Sequence, residues 1–120
     1  MRRLSIVPKA KSPEVHASYL PSYDLKLPKT NPNDVRVFDI NYKTNKLYKE
    51  DMEKSIGAIR ASIVVDNHKD FDELCHQNVM KAIDLAAEHG ANEIKYVCMY
   101  PQGELSPLSS VGLQAFAFKD

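Results

Sequence analysis

The segment from Asp70 to Asp120 constrains the fold more than any other part of this chain. Asp70 is a natural N-cap residue, and Glu73 occupies the reciprocal position of a capping box. The residues that follow repeat apolar side chains at helical spacing, on one side of the axis. Gly90 can adopt the left-handed conformation that ends a helix. The sequence therefore predicts a long amphipathic helix whose apolar side must be buried.

Four segments have the composition or the two-residue alternation of β-strands. They are residues 35–40, 56–65, 94–100 and 111–118. One face of the second segment is wholly apolar, with Ile59, Ala61, Ile63 and Val65. Its other face is mixed, which is typical of a sheet that is covered on a single side. The order β-β-α-β-β with short connections predicts an α+β fold, a largely antiparallel sheet with one long helix packed on one face.

Residues 1–34 are predicted to form a proline-rich N-terminal arm or linker, ahead of a single α+β domain over residues 35–120. Closely spaced prolines prevent a long helix or a central strand in this region. These prolines are Pro8, Pro13, Pro21, Pro28 and Pro32. The arm is either an extended leader or a strap that packs on the core or on a neighbouring subunit. Residues 41–51 are predicted to be a loop, with a short helical turn possible near Lys49 to Lys54.

The charge balance argues against nucleic acid as a partner. The chain has 120 residues, with 16 basic and 16 acidic side chains, so it lacks the basic surface that binds a phosphate backbone. No apolar run approaches the roughly 20 residues that span a bilayer. Pro8 and Lys9 interrupt the N-terminal region too early for an intact signal peptide. We expect the periplasm or envelope if a leader or an upstream lipid anchor has been removed, and the cytoplasm otherwise.

Cys75 and Cys98 leave two alternatives open. In a reducing compartment two buried cysteines stay as free thiols, whereas in an oxidising compartment they can pair. Cys75 falls on the apolar side of the helix, and Cys98 alternates with Val97 and Met99 in a strand. These positions favour buried packing thiols over reactive ones.

The junction between the helix and the next strand carries a family resemblance. It reads Ala86-Ala87-Glu88-His89-Gly90-Ala91-Asn92-Glu93-Ile94, and an earlier strand contains Ile56-Gly57-Ala58-Ile59. Over residues 35–120 the chain resembles the YbjQ-like domains, a group associated with heavy-metal binding, and the RcsF-like outer-membrane stress-sensing lipoproteins. The resemblance implies envelope stress signalling through protein contacts, or a metal association with ring-like oligomers.

A divalent transition metal is the one cofactor that the sequence leaves open. Asp72 and His76 lie four positions apart on one helix side, and His68 could complete the site from the preceding turn. The alternative is a solvated helix start in which these residues bind nothing. Cys75 and His76 point about 100° apart around the helix axis, which argues against a nucleophile and base pair.

No recognisable catalytic motif occurs, so we do not expect an enzyme. The serines of the 101–110 loop lack a Gly-x-Ser-x-Gly elbow, and the four glycines are too dispersed for a phosphate-binding loop. Candidate partner-binding residues are therefore surface residues of the arm and of that loop. They are Tyr19, Tyr23, Leu105 and Leu108.

The functional prediction is a non-enzymatic protein-interaction or sensor module of the bacterial cell envelope. Its expected partner is another protein, with homo-oligomerisation possible. The alternatives are a metal-binding homo-oligomeric domain and a small enzyme of unknown chemistry. We expect any working surface in the arm, in the 101–110 loop or on the exposed face of the sheet.

Overall fold

The computed structural model describes residues 14–66, 70–106 and 108–120. Within these ranges the chain forms five strands and two α-helices. The strands are β1 (Val15–Pro21), β2 (Arg36–Asp39), β3 (Gly57–Val64), β4 (Glu93–Met99) and β5 (Ser110–Phe118). The helices are α1 (Lys49–Lys54) and α2 (Phe71–Glu88), and short 3-10 turns occupy Pro32–Asp34 and Lys43–Asn45. None of the described helices is long and apolar enough to cross a membrane.

The strands form one sheet in the order β1-β3-β5-β4-β2. β1 pairs with β3, β3 with β5 and β5 with β4, all antiparallel, while β2 pairs with β4 in parallel. The predicted α+β class, with a mostly antiparallel sheet and one long helix, is confirmed. The parallel pair is possible because the whole of α1, β3 and α2 lies between β2 and β4, which lets the chain return in the same direction.

The arrangement differs from the predicted β-β-α-β-β pattern at β1. This strand comes from the segment that was predicted to be an arm, and it aligns Tyr19 with Ile59 of β3. Val15, Ala17 and Tyr19 alternate along β1 and pack against the core. The strand was not predicted because prolines are unfavourable in strands. Pro21, however, lies at the very end of β1, where a missing N–H group is tolerated.

The predicted boundaries of α2 are confirmed by its caps. The carboxylate of Asp70 accepts a hydrogen bond from the backbone N–H of Glu73 at 3.1 Å. At the other end Gly90 has a φ of 83°. The N–H of Gly90 then donates to the carbonyl of Ala87, and the N–H of Ala91 donates to the carbonyl of Ala86. This pair of bonds is the Schellman motif, which satisfies carbonyls that the helix itself leaves unpaired.

The core lies between α2 and one face of the sheet. The apolar residues predicted for one face of β3 are buried, as are their counterparts on β5. The helix contributes Leu74, Val79, Ala82, Ala86 and Ala87 to the same core. Removing this apolar surface from water is the main term that stabilises the fold.

The structure pairs the two cysteines, the less favoured of the two alternatives. Cys75 on α2 and Cys98 on β4 form a disulfide, with their Cα atoms 5.9 Å apart. The expectation of free thiols treated the helix and the strand separately. The packing of α2 on the sheet turns both side chains toward the same interface, where they meet.

The second half of the predicted arm packs against the C-terminal end of α2. The backbone N–H of Thr30 donates to the carbonyl of Ala87 at 2.9 Å, and its hydroxyl donates to the carbonyl of Ala91. A Cβ atom at Gly90 would lie 2.5 Å from the Cβ atom of Leu27 and 2.7 Å from the carbonyl oxygen of Pro28. Gly90 is therefore needed for two reasons. Its left-handed backbone ends the helix, and its lack of a side chain leaves room for the segment from Leu27 to Thr30.

Removing the disulfide should lower the stability of the protein. The bond joins residues 23 positions apart, and closing a loop of that size stabilises the native state by roughly 3 kcal/mol in the chain-entropy treatment. We expect the Cys75→Ala/Cys98→Ala double variant to lose about that amount in urea unfolding. Free-thiol titration of the untreated native protein should find no reactive thiol, and two equivalents would contradict the pairing.

Gly90→Ala should destabilise the fold by roughly 1–2 kcal/mol from the left-handed backbone alone, because a side chain resists that conformation. The contact with Leu27 should add to the loss. Gly103→Ala is the matched control, since Gly103 also has a positive φ of 78° but open space around its Cβ position. Equal losses of unfolding free energy in the two variants would show that the segment from Leu27 to Thr30 makes no close steric contact at Gly90.

Candidate functional site: the open face of the sheet

The face of the sheet that points away from α2 carries the candidate site. Side chains of β1, β3, β4 and β5 line a shallow groove of about 820 Å³ on it. We call this surface the open face. It is formed by His16, Ser18, Arg60, Ser62, Val97, Met99, Gly112 and Gln114.

The register of the strands places these residues in rows across the sheet. In one row Ser18, Arg60, Gln114 and Val97 are successive cross-strand neighbours. The next row brings together His16, Ser62, Gly112 and Met99. The groove thus exists because small residues, Ser62 and Gly112, occupy the middle of a row that ends in larger side chains.

Met99 forms an apolar wall of the groove. Its side chain is 52% exposed, and its Cε atom lies over Gly112, only 3.2 Å from where a Cβ atom would be. Val97 continues the apolar surface into the next row. A flexible thioether beside a glycine can adjust its shape to a bound group.

Arg60 gives the open face its charge. Its Nε atom donates to Oε1 of Gln114 at 3.0 Å, which holds the guanidinium group across the groove. Among the described residues, none that lines the groove is acidic, and Arg60 forms no ion pair. The remaining guanidinium donors suit a carboxylate or a carbonyl oxygen of a bound molecule.

Charges at the other end of the same face are already paired. Lys95 binds Asp51 of α1 at 3.4 Å, and its ammonium lies 5.7 Å from the ring centroid of Phe118. The pKa of Asp51 is lowered, first by the hydrogen bond from the backbone N–H of Tyr48 and then by Lys95. Arg36 binds Glu93 at 3.3 Å and also pairs with Asp120. The free positive charge on this face is therefore concentrated at Arg60.

The two predicted tyrosines lie together at one end of the sheet. Tyr19 is half-buried, its ring stacks on that of His89 with centroids 3.8 Å apart, and its hydroxyl donates to the carbonyl of Ile56. Burial raises the pKa of Tyr19. Tyr23 is exposed, and its hydroxyl donates to the carbonyl of Glu53 at 2.8 Å. Both hydroxyls thus tie the N-terminal segment to the body of the domain.

The two predicted leucines lie at the opposite end. Leu105 and Leu108 are 50% and 87% exposed in the loop between β4 and β5. The antiparallel register, with Met99 opposite Gly112, places this loop far from Gly57, where Tyr19 approaches the sheet. The structure does not bring the four residues into one site, and the open face lies between the two ends.

The predicted metal ligands are placed only in part. His68 lies outside the described residues. Asp72 and His76 are both exposed on α2, and the carboxylate of Asp72 accepts a hydrogen bond from the hydroxyl of Tyr100 at 3.1 Å. The pKa of Tyr100 is raised, mainly because the side chain is partly buried and further because of this hydrogen bond. In the described ranges no group of three or more His, Cys, Asp or Glu side chains converges on one point, so the metal site stays a prediction.

The sequence pointed to the exposed sheet face as a working surface and placed Arg60, Ser62 and Gln114 on the outer side of their strands, but none of them was among the predicted site residues. The signal was present in β3, where Arg60 and Ser62 alternate with buried apolar residues. The contributions of Val97, Met99 and Gln114 depend on which strands are neighbours. That order, β1-β3-β5-β4, could not be read from the alternation of any single strand.

Comparison with known proteins supports the fold and gives a family. The crystal structure of FvfA, a Francisella virulence factor, is 48% identical in sequence, with a TM-score of 0.79 over 89% of this chain and 100% of that one. No curated protein matches the chain at a significant level. A family model described as a family of unknown function, DUF8716, matches residues 3–119. The chain therefore belongs to the DUF8716 family.

Proposed function

We propose that this chain is a non-enzymatic protein-interaction or sensor module of the bacterial cell envelope, and that its open face binds another protein. The observation that carries the proposal is the groove on that face, with apolar walls and one arginine that forms no ion pair within the described part of the chain. The sequence reasoning led to a protein-binding surface, and the open face is the surface best suited to it.

The shape of the groove supports a protein partner over a small molecule. Small-molecule sites are concave and enclose most of the ligand surface, whereas this groove lies on a broad sheet face and opens widely to solvent. A partner chain can cover such a face and remove Val97 and Met99 from water. Arginine and methionine are both enriched in the buried centre of protein interfaces. Arg60 beside Met99 therefore has the composition of such a centre.

The disulfide supports the envelope as the place of action. Structural disulfides persist in the periplasm and at cell surfaces and are rare in a reducing cytosol. The resemblance of residues 35–120 to envelope stress sensors points the same way. FvfA is described as a virulence factor, and at 48% identity we infer a related role in bacteria for this chain.

A photo-crosslinking pair tests the proposed surface. The photoreactive amino acid p-benzoylphenylalanine replaces Met99 on the open face in one variant and Met80 on α2 in the other. The two methionines are matched, since they are 52% and 51% exposed. Irradiation of cells that produce each variant should yield a discrete protein adduct from position 99 and none from position 80. The same adducts from both positions, or none from position 99, would contradict the proposal.

The charge of Arg60 gives a second, independent prediction. In the variant that carries the crosslinker at position 99, we expect Arg60→Glu to reduce the adduct at least about tenfold, the effect of losing an arginine at the centre of an interface. Arg60→Lys should retain part of the yield, because it keeps the charge but loses the planar donors. Lys81→Glu, an equal charge change on α2, serves as the control. If Arg60→Glu and Lys81→Glu lower the yield equally, the effect is one of net charge and the proposed site is wrong.

A further inference from the structure

The two edges of the sheet are built differently. β2 forms one edge, and it has four residues, including Arg36 and Asp39. β1 forms the other edge, with seven residues and no charged side chain among them. Natural sheets usually protect an edge by keeping it short, by placing charges on it or by including a proline. β2 is short and charged, whereas β1 has only Pro21, at its last position.

The outward-pointing backbone groups of β1 follow from its pairing. The N–H of Ser22 donates to the carbonyl of Ile56, and Leu20 aligns with Ala58. In an antiparallel pair every second residue bonds to the neighbouring strand. The even-numbered residues of β1 therefore bond to β3, and the odd-numbered residues direct their backbone groups away from the sheet. The outward N–H groups belong to Val15, Ala17 and Tyr19. Pro21 occupies the next outward position, where it has no N–H to donate.

These donors and acceptors have no partner strand within the described part of the chain. β1 has one neighbour in the sheet, which is β3. Beside this edge Leu20 is 71% exposed, and its neighbour on β3 is the small Ala58. An open row of backbone groups next to an exposed leucine can accept an additional strand.

We propose that a second copy of this chain pairs with β1, antiparallel, about a two-fold axis at Ser18. In this register Ala17 and Tyr19 of one copy exchange backbone hydrogen bonds with Tyr19 and Ala17 of the other. The N–H of Val15 donates to the carbonyl of Pro21, so the absent N–H of Pro21 costs a single bond at each end. Leu20 lies beside His16 of the second copy and is partly removed from water.

The match of β1 to itself about Ser18 favours a second copy as the occupant of this edge, and charge does not oppose it. The formal net charge of the chain is zero at pH 7, so two copies approach without net repulsion. The strand contains no Lys, Arg, Asp or Glu, and the pairing places His16 beside Leu20 rather than beside another His16, so no like charges lie opposite each other. The two-fold axis is perpendicular to the sheet, and both open faces therefore lie on the same side. This inference does not depend on the partner proposed for the open face.

Sedimentation of the full chain with Ala17→Pro tests the pairing. The native protein should be a concentration-dependent dimer. Ala17→Pro removes an outward N–H that the monomer does not use, and it should raise the dissociation constant at least about tenfold. Ala17→Gly, which keeps the N–H, should dimerise more strongly than the proline variant, and circular dichroism verifies that both variants fold. A monomer at every concentration, or equal dissociation constants for the two variants, would overturn the proposal.

A cysteine crosslink tests the register without relying on the proline variant. Ser18 faces Ser18 of the second copy as a non-hydrogen-bonded pair, in which the Cα atoms are about 4.5 Å apart. Ser18→Cys should therefore form an intermolecular disulfide under mild oxidation. Ser62→Cys, one strand further in, should form no intermolecular disulfide under the same conditions, although it dimerises like the native protein. The native cysteines are paired with each other, so the added thiol reacts alone. Equal crosslinking at both positions, or none at Ser18→Cys, would rule out the axis.

Discussion

The burial of α2 against one face of the sheet is the interaction on which the rest of the structure depends. It removes the apolar alternation of β3 and β5 from water and decides which side chains are left outside. Because strands alternate their side chains, burying one set under α2 directs the residues between them to the other face, where Arg60 and Met99 are exposed. The open face with Arg60 and Met99 is thus a direct consequence of how the core is formed.

Several connections hold α2 in this position. The disulfide ties its first half to β4, and the segment around Thr30 bonds to the carbonyls at its end. The side-chain amide of Asn78, in the middle of the helix, donates to the carbonyl of Val111 on β5 at 2.9 Å. These contacts are spread along the helix, so the sheet is supported over its length and the open face keeps a defined shape.

Much of this fold could be predicted from the sequence, because its signals are local. The caps of α2, the left-handed Gly90 and the alternation of β3 and β5 depend on neighbouring residues alone. β1 was missed because prolines outweighed the alternation of Val15, Ala17 and Tyr19, and the disulfide was missed because it depends on packing between distant segments. The site was predicted least well, since Arg60, Gln114 and Met99 become neighbours only once the strand order is known.

The most direct test of this account compares two adjacent positions of β3 that point to opposite faces. Ala61 is buried under α2, whereas Ser62 lines the open face. An arginine at position 61 would bury an unpaired charge, which is strongly destabilising. We expect thermal unfolding to show that Ala61→Arg lowers the midpoint steeply or prevents folding, while Ser62→Arg stays close to the native protein. Similar losses at the two positions would contradict a sheet with one covered and one open face.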